Sequence, residues 1–468
     1  MASDRIQELK RARLLNGSVG KTLISLAIPM GFGLVTIFLF NIVDTFYVGQ
    51  LGAKPLAAMG FTFPVTYIVM SVAMGFSVGA SSTISRAIGE GQRDRVRRLT
   101  TDVVGLSVLI VTLFAMVGLV SLRRIFSLMG ADDETLNLIA DYMIPWFLGV
   151  GLLGIPIVSN GAIRATGDTK SPAVIMATAG LVNIVLDPFL IFGIGPFPRL
   201  ELRGAALASV ISWSITFAAT IWILGKREKM IGFPLFAAKQ SLKSWKQILR
   251  ISLPAAGTNI LEPLSMAVLT RMVVQFGEEA VAAFGVGSRV ESLALIGVAA
   301  LSIAISPFVG QNYGARNYDR IRVALRFGFR ISLGWGIAVF VILFSFADVI
   351  SRIFNDDPAV IEAAVLFLMI LPVSYGFLGI SWLVNSAFNA LNKPLHASFV
   401  ILLHLFAFVL PLAYLGSKIV GLKGVFVGTA VGHVLNGICA YLMGHRLLTQ
   451  LESEIQTPIT ETGDSLPS

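Results

Sequence analysis

Cysteine is nearly missing from this 468-residue chain: Cys439 stands alone, which excludes an intramolecular disulfide and a cysteine-based metal cluster. Charge is scarce as well. Asp, Glu, Lys and Arg make up 13% of the residues, about half of the roughly 25% usual in soluble domains, so no soluble domain of ordinary composition fits within it. The four histidines, His396, His404, His433 and His445, are too spread for a recognisable metal motif.

What is abundant is apolar sequence, 55% of the chain. A helix crosses a hydrocarbon core of ~30 Å in about 20 residues. Charge-free runs of that length occupy 22–43, 55–85, 103–122, 142–163, 204–225, 363–392, 394–417 and 424–444. Four more apolar stretches, some interrupted by single charges, lie around 171–195, 247–275, 280–308 and 327–348. The pattern predicts an all-α membrane protein of twelve transmembrane helices. The first run is long and lacks a small-residue cleavage site, so a retained helix is expected in place of a cleaved signal peptide.

The net charge of +9 raises the question of nucleic acid, but the cations alternate between loops. Of the 36 Lys and Arg, 25 fall in the amino terminus, even-numbered loops and carboxyl terminus, and 8 in the odd-numbered loops. The positive-inside rule then places both termini in the cytoplasm, and no nucleic-acid partner is expected.

Sliding the chain on itself by 225 residues aligns Pro29 with Pro254, Gln50 with Gln275, Gly52 with Gly277, Gly60 with Gly285, Gly89 with Gly314, Asp94 and Arg95 with Asp319 and Arg320, and Asn160 with Asn385. An even number of spans per half makes the two copies parallel repeats, an arrangement of transporters. The expected organisation is a cytoplasmic segment at 1–20, a first lobe at 21–225, a Lys-rich linker at 226–246 with Trp245 lying on lipid, a second lobe at 247–447, and a polar, disordered tail at 448–468.

Intramembrane charges are costly and need a partner, water or a task. Asp44 stands near the outer end of span 1. Asn183 and Asp187 in span 5 are four residues apart, which stacks an amide and a carboxylate on one helix face. Spans 1 and 5 run in the same direction, so the two carboxylates are placed to meet in the outer half of the first lobe. The repeat puts Leu269 opposite Asp44 and an apolar residue near Val409 opposite Asp187, so the scaffold alone does not require the pair. Glu262 in span 7 is the converse, facing Ile37 in the repeat. Arg271, and Arg289 beside Glu291, are expected to pair with nearby acids or snorkel, with Arg289 at the protein interior. Pro29 removes a helix hydrogen bond and makes span 1 a candidate hinge. Tyr142 is a candidate cavity residue.

Two glycine patterns mislead. Gly17 to Thr22 suggests a phosphate loop, but Leu15 occupies the place of the first glycine and no strand precedes it. Gly149, Gly151 and Gly154 match a dinucleotide pattern inside a charge-free span, where small residues serve helix packing, as do Gly75 and Gly79. No enzymatic activity is expected.

Twelve spans in two parallel halves, Pro29 and Asp44 on the first helix and Asn183 with Asp187 on the fifth resemble the multidrug and toxic compound extrusion (MATE) family, in its prokaryotic branch related to DNA-damage-inducible transporters. The resemblance covers almost the whole chain. It implies a V-shaped, cofactor-free antiporter of the plasma membrane that exports amphipathic organic cations against inward H⁺ or Na⁺. It also implies a first-lobe polar cluster at Pro29, Asp44, Tyr142, Asn160, Asn183 and Asp187, with Asp44 and Asp187 as metal ligands if Na⁺ is the ion. Glu262, eight residues after Pro254, matches a carboxylate of a second branch, but span 10 lacks an acid between Glu362 and Asn392 to complete that site. The expected partners are small organic cations and the lipid bilayer, with the chain acting as a monomer. The alternative in the same superfold is a lipid or lipid-linked oligosaccharide flippase, against which the acids of spans 1 and 5 argue.

Overall fold

The structure, a computed structural model, describes residues 2–232 and 238–456. It is helical throughout. A helix α1 (Ala2–Asn16) precedes six long helices of the first half: α2 (Val19–Gly49), α3 (Ala53–Gly89), α4 (Arg93–Leu128), α5 (Asp133–Ala165), α6 (Lys170–Phe192) and α7 (Glu201–Trp222), the last prolonged by a π turn over Ile223–Arg227. The second half repeats them as α8 (Ala238–Val274), the consecutive pair α9 (Glu278–Ala294) and α10 (Ile296–Gly314), α11 (Tyr318–Phe354), the pair α12 (Pro358–Ile370) and α13 (Tyr375–Ala390), α14 (Pro394–Leu402) with α15 (Leu410–Val420), and α16 (Leu422–Gln456). Among the described residues, 11 segments are long and apolar enough to cross a membrane. The twelfth span is α8, whose apolar run is diluted by Asn259, Glu262 and Arg271.

Turns carry the repeat as clearly as the helices do. Backbone φ is positive at Gly52 and Gly277 (117° and 106°), at Gly91 and Arg316 (76° and 59°), and at Gly167 and Asn392 (86° and 62°), each pair 225 residues apart. The left-handed region disfavours L side chains, so glycine suits these corners and asparagine adopts them at low cost, while Arg316 holds its corner with strain. Other ends are set by side chains: Asp132 accepts from the Thr135 N–H at 2.8 Å, and Asp357 caps the start of α12 ahead of Pro358.

The halves meet toward the end of the molecule that carries the termini. Asn259 Nδ2 donates to the Ser71 carbonyl at 3.4 Å, and Gln311 Nε2 donates to the Ala165 carbonyl at 2.7 Å. Gly75 backs directly onto Ala256, where an added Cβ would lie 2.5 Å from the backbone nitrogen, and Gly310 and Gly314 back onto Ser85 and Arg86. The glycines therefore serve helix packing, including Gly154, whose Cβ would meet Val111 at 2.6 Å. Toward the other end, Phe46 and Tyr67 are exposed. Gly75→Val is accordingly expected to weaken the closed end by about 1–3 kcal/mol, the usual cost of overpacking. Wider spin-label distances at that end would register it, and unchanged distances would contradict it.

Three details depart from the sequence-based expectations. Trp245 is half-buried, its Nε1 donating to the Asp102 carbonyl at 3.0 Å, so it is pinned to α4 instead of lying on lipid. Helix α16 continues to Gln456, into the segment expected as a tail from 448, while 457–468 and the linker residues 233–237 lie outside the described residues. Arg289 is exposed, not interior.

Candidate functional site

Close packing of α2 on α6 builds the site. Gly180 leaves room for α2, since a Cβ there would touch Thr36 Cγ2 at 3.2 Å and Phe40 Cβ at 3.6 Å. The two helices run in parallel with the same rise of 1.5 Å per residue. One further turn on each brings Asp44 level with Asn183 and Asp187. All three are buried, with exposures of 7%, 2% and 0%. Asp44 and Asp187 interact electrostatically, and Tyr142 on α5, also buried, lies within range of both.

In the amide orientation that gives both of its ends a partner, Asn183 Nδ2 donates to Asp187 Oδ2 at 2.8 Å, while its Oδ1 accepts from the Ser209 N–H at 3.1 Å and the Ser209 hydroxyl at 3.2 Å. Helix α7 thus fixes the amide, and the amide fixes the carboxylate. Asp44 Oδ1 and Asp187 Oδ1 remain without hydrogen-bond partners among the described residues. Two buried carboxylates with open oxygens form a ready acceptor set for a proton or a small cation. Ser209 escaped the sequence-based reading because one serine among many carries no signal of its own.

The other predicted residues are more distant. Asn160, buried and with an unpartnered Oδ1, lies about 27 Å along α5 from Tyr142 and does not join the cluster. Pro29 lies inside a continuous α2, about 22 Å from Asp44 along the helix, beside Gly31, which faces Ala300, and Gly33, which faces Ala173. Glu262 is exposed on α8 and interacts electrostatically with Tyr67 across the divide between the halves and with Glu291 in its own half. Arg271 and Arg289 are exposed without an ion pair among the described residues.

The histidines, expected to be dispersed, include one close pair. His404, in a π turn over Leu403–Val409, lies with His433 at a ring-centroid distance of 5.1 Å, and Ser374 Oγ is 3.0 Å from His433 Nδ1. No group of three or more metal-ligating side chains exists among the described residues.

Twelve spans in two repeated halves, with a buried, mutually interacting aspartate pair in the first, define a membrane carrier. The family model MatE matches it twice, over residues 29–189 and 254–415, a spacing that reproduces the internal repeat. The chain belongs to the MATE family of transporters and is not an enzyme. It is 38% identical over 437 residues to the FAD transporter of Shewanella oneidensis, covering 93% of this chain and 97% of that one. It is 29% identical to a probable multidrug resistance protein NorM of Thermotoga maritima, covering 88% of this chain and 89% of that one. The crystal structure of the Vibrio cholerae MATE transporter VcmN in its bent form superposes with a TM-score of 0.89 at 30% identity, over 93% of this chain and 98% of that one.

Proposed function

We propose that the chain is a secondary active antiporter of the plasma membrane, with both termini cytoplasmic, that exports amphipathic organic cations in exchange for H⁺ or Na⁺. The observation that carries this reading is the buried pair Asp44 and Asp187, the latter held through Asn183 by Ser209, with one oxygen of each acid unpartnered. Unloaded, the pair is anionic and holds a cationic cargo beside Tyr142. An ion entering from outside neutralises the acids, the cargo loses its counter-charge, and α2 readjusts about Pro29 as the cargo leaves outward. The ion drives the cycle only through its different affinity for the two states.

A second cargo has its own support. The Shewanella relative, more similar in sequence than the Thermotoga one, bears the name FAD transporter, and FAD is an aromatic dinucleotide with an anionic pyrophosphate. Proteoliposomes loaded with a cationic dye or with FAD, under an imposed pH or Na⁺ gradient, separate the readings. One gradient is expected to suffice for cationic-dye efflux. FAD efflux alone would replace the cation cargo, and no response to either gradient would overturn antiport.

A further inference from the structure

Two guanidiniums of the second half have no part in the acidic site. Arg271 in the last turn of α8 and Arg289 in α9 are exposed, and neither has a hydrogen bond or an ion pair among the described residues. Glu291 does not serve Arg289. Two residues along a helix point about 160° apart, and Glu291 interacts with Glu262 and Tyr375 on the opposite side.

The direction of Arg289 follows from the helix itself. Leu295 (φ −84°, ψ −6°) interrupts the helix between α9 and α10, and hydrogen bonds from Leu295 N to the Glu291 carbonyl and from Ala299 N to the Leu295 carbonyl, both 2.9 Å, flank that single residue and keep the two helices in sequence. Ala300 faces Gly31 of the first half at 3.7 Å. Arg289 precedes it by about three turns, which across the Leu295 interruption returns the side chain to broadly the same side. That face continues to Gln311, which is bonded to Ala165. Arg289 therefore extends the inter-half face of α10 to the level where the halves have parted. Arg271 and Arg289 correspond in the repeat to Phe46 and Pro64, so the shared scaffold needs no charge at either place. On the first half, Tyr67 presents an exposed ring within electrostatic range of Glu262 of the second.

We propose that Arg289 forms an anion-recognition subsite on the second-half wall of the cleft, which takes the phosphate of an aromatic, phosphate-bearing solute. A guanidinium offers paired donors that match phosphate oxygens, and the exposed Tyr67 of the first half suits a planar ring. The inference rests on the export reading, with the second, FAD-type cargo in place of the organic cation, only in assigning the bound solute as cargo. It divides the labour between the halves: the first binds the coupling ion through acids, and the second reads an anionic group.

Flavin mononucleotide and riboflavin, which differ by one phosphate, test it directly. Titrated by flavin-fluorescence quenching against the full chain in phosphatidylcholine nanodiscs, the wild type is expected to bind flavin mononucleotide about tenfold tighter than riboflavin, the worth of a charge-assisted hydrogen bond. Arg289→Gln is expected to remove that preference while leaving riboflavin affinity intact, which also reports a folded protein, and Arg289→Lys to restore part of it. Equal binding of the two flavins by the wild type, or an unchanged preference in Arg289→Gln, overturns the subsite. A preference erased by adding phosphatidylglycerol would assign Arg289 to a lipid phosphate and likewise overturn it. The titration needs no ion gradient, so failure of antiport and failure of the subsite give different results.

Discussion

Asp187→Asn is expected to lower gradient-driven efflux at least about 100-fold, equivalent to about 2.7 kcal/mol, and Asp44→Asn to do the same. The substitution is nearly isosteric. An amide oxygen at position 187 can still accept from Asn183 Nδ2, so the link through Asn183 to Ser209 can persist and the fold should change by less than about 1 kcal/mol. What disappears is the group able to exchange a charge between loaded and empty states. Without that difference in affinity, the ion has nothing with which to bias the two conformations. Initial efflux rates in proteoliposomes under the effective gradient, alongside thermal unfolding of the same preparations, make the comparison. Asn183→Ala is a graded case: it keeps the Asp187 carboxyl group but removes the amide that links it to Ser209 and loosens it. Full activity in both aspartate variants would remove the first-half site and transfer attention to Glu262.

The acidic pair was legible because parallel spans 1 and 5 and a four-residue spacing decide which groups share a level and a face. The repeat was legible for a related reason: the corner at Gly52 and Gly277 demands a backbone that few residues adopt, and there the same residue recurs at the repeat offset. Rotation of one helix against another was not legible. In a membrane protein the lipid-facing, cleft-facing and packed faces draw on similar apolar residues, so no polar stripe marks the cleft. That is why Arg289 was expected inside and lies exposed, why Ser209 went unnoticed, and why His404 and His433, on separate helices, meet unannounced. Trp245 shows the same limit, since an indole suits both an interface and a backbone carbonyl. Asn160, brought in by family resemblance, belongs to a level of α5 well below Tyr142.

Lys10→Met is expected to open the end of the molecule that carries the termini, because α1 ties both halves together there. On one side, Lys10 Nζ lies 2.7 Å from Glu228 and 3.3 Å from Asp168, and Arg11 donates to the Gly89 carbonyl at 2.9 Å. On the other, Arg320 donates to the carbonyls of Leu14 and Gly17 at 3.1 and 2.6 Å, placing a cation at the negative end of α1, and Leu14 is buried in the second-half core with Phe308 and Leu325. Removing one partner of a buried ion pair costs about 3–5 kcal/mol. Lys10 is partly exposed and Arg227 still pairs with both acids, so about 2 kcal/mol is the better expectation. That corresponds to a shift of about 30-fold in the balance of closed and open forms. Spin labels at positions 94 and 319, equivalent in the repeat and both exposed, should report longer distances in the variant. Acid should not mimic the substitution. Burial alone would raise the Asp168 carboxyl, but hydrogen bonds from Ser171 and the charges of Lys10 and Arg227 hold it below the ordinary carboxylate range. A depressed carboxylate contributes its stabilisation above its unfolded value and loses it only as pH falls through the lower folded value, so Asp168 stays charged between pH 5 and 8 at about its full contribution. Opening of the wild type over that range that vanishes in Asp168→Asn would contradict this account of the contact, whereas a pH-independent closed end that yields to Lys10→Met supports it.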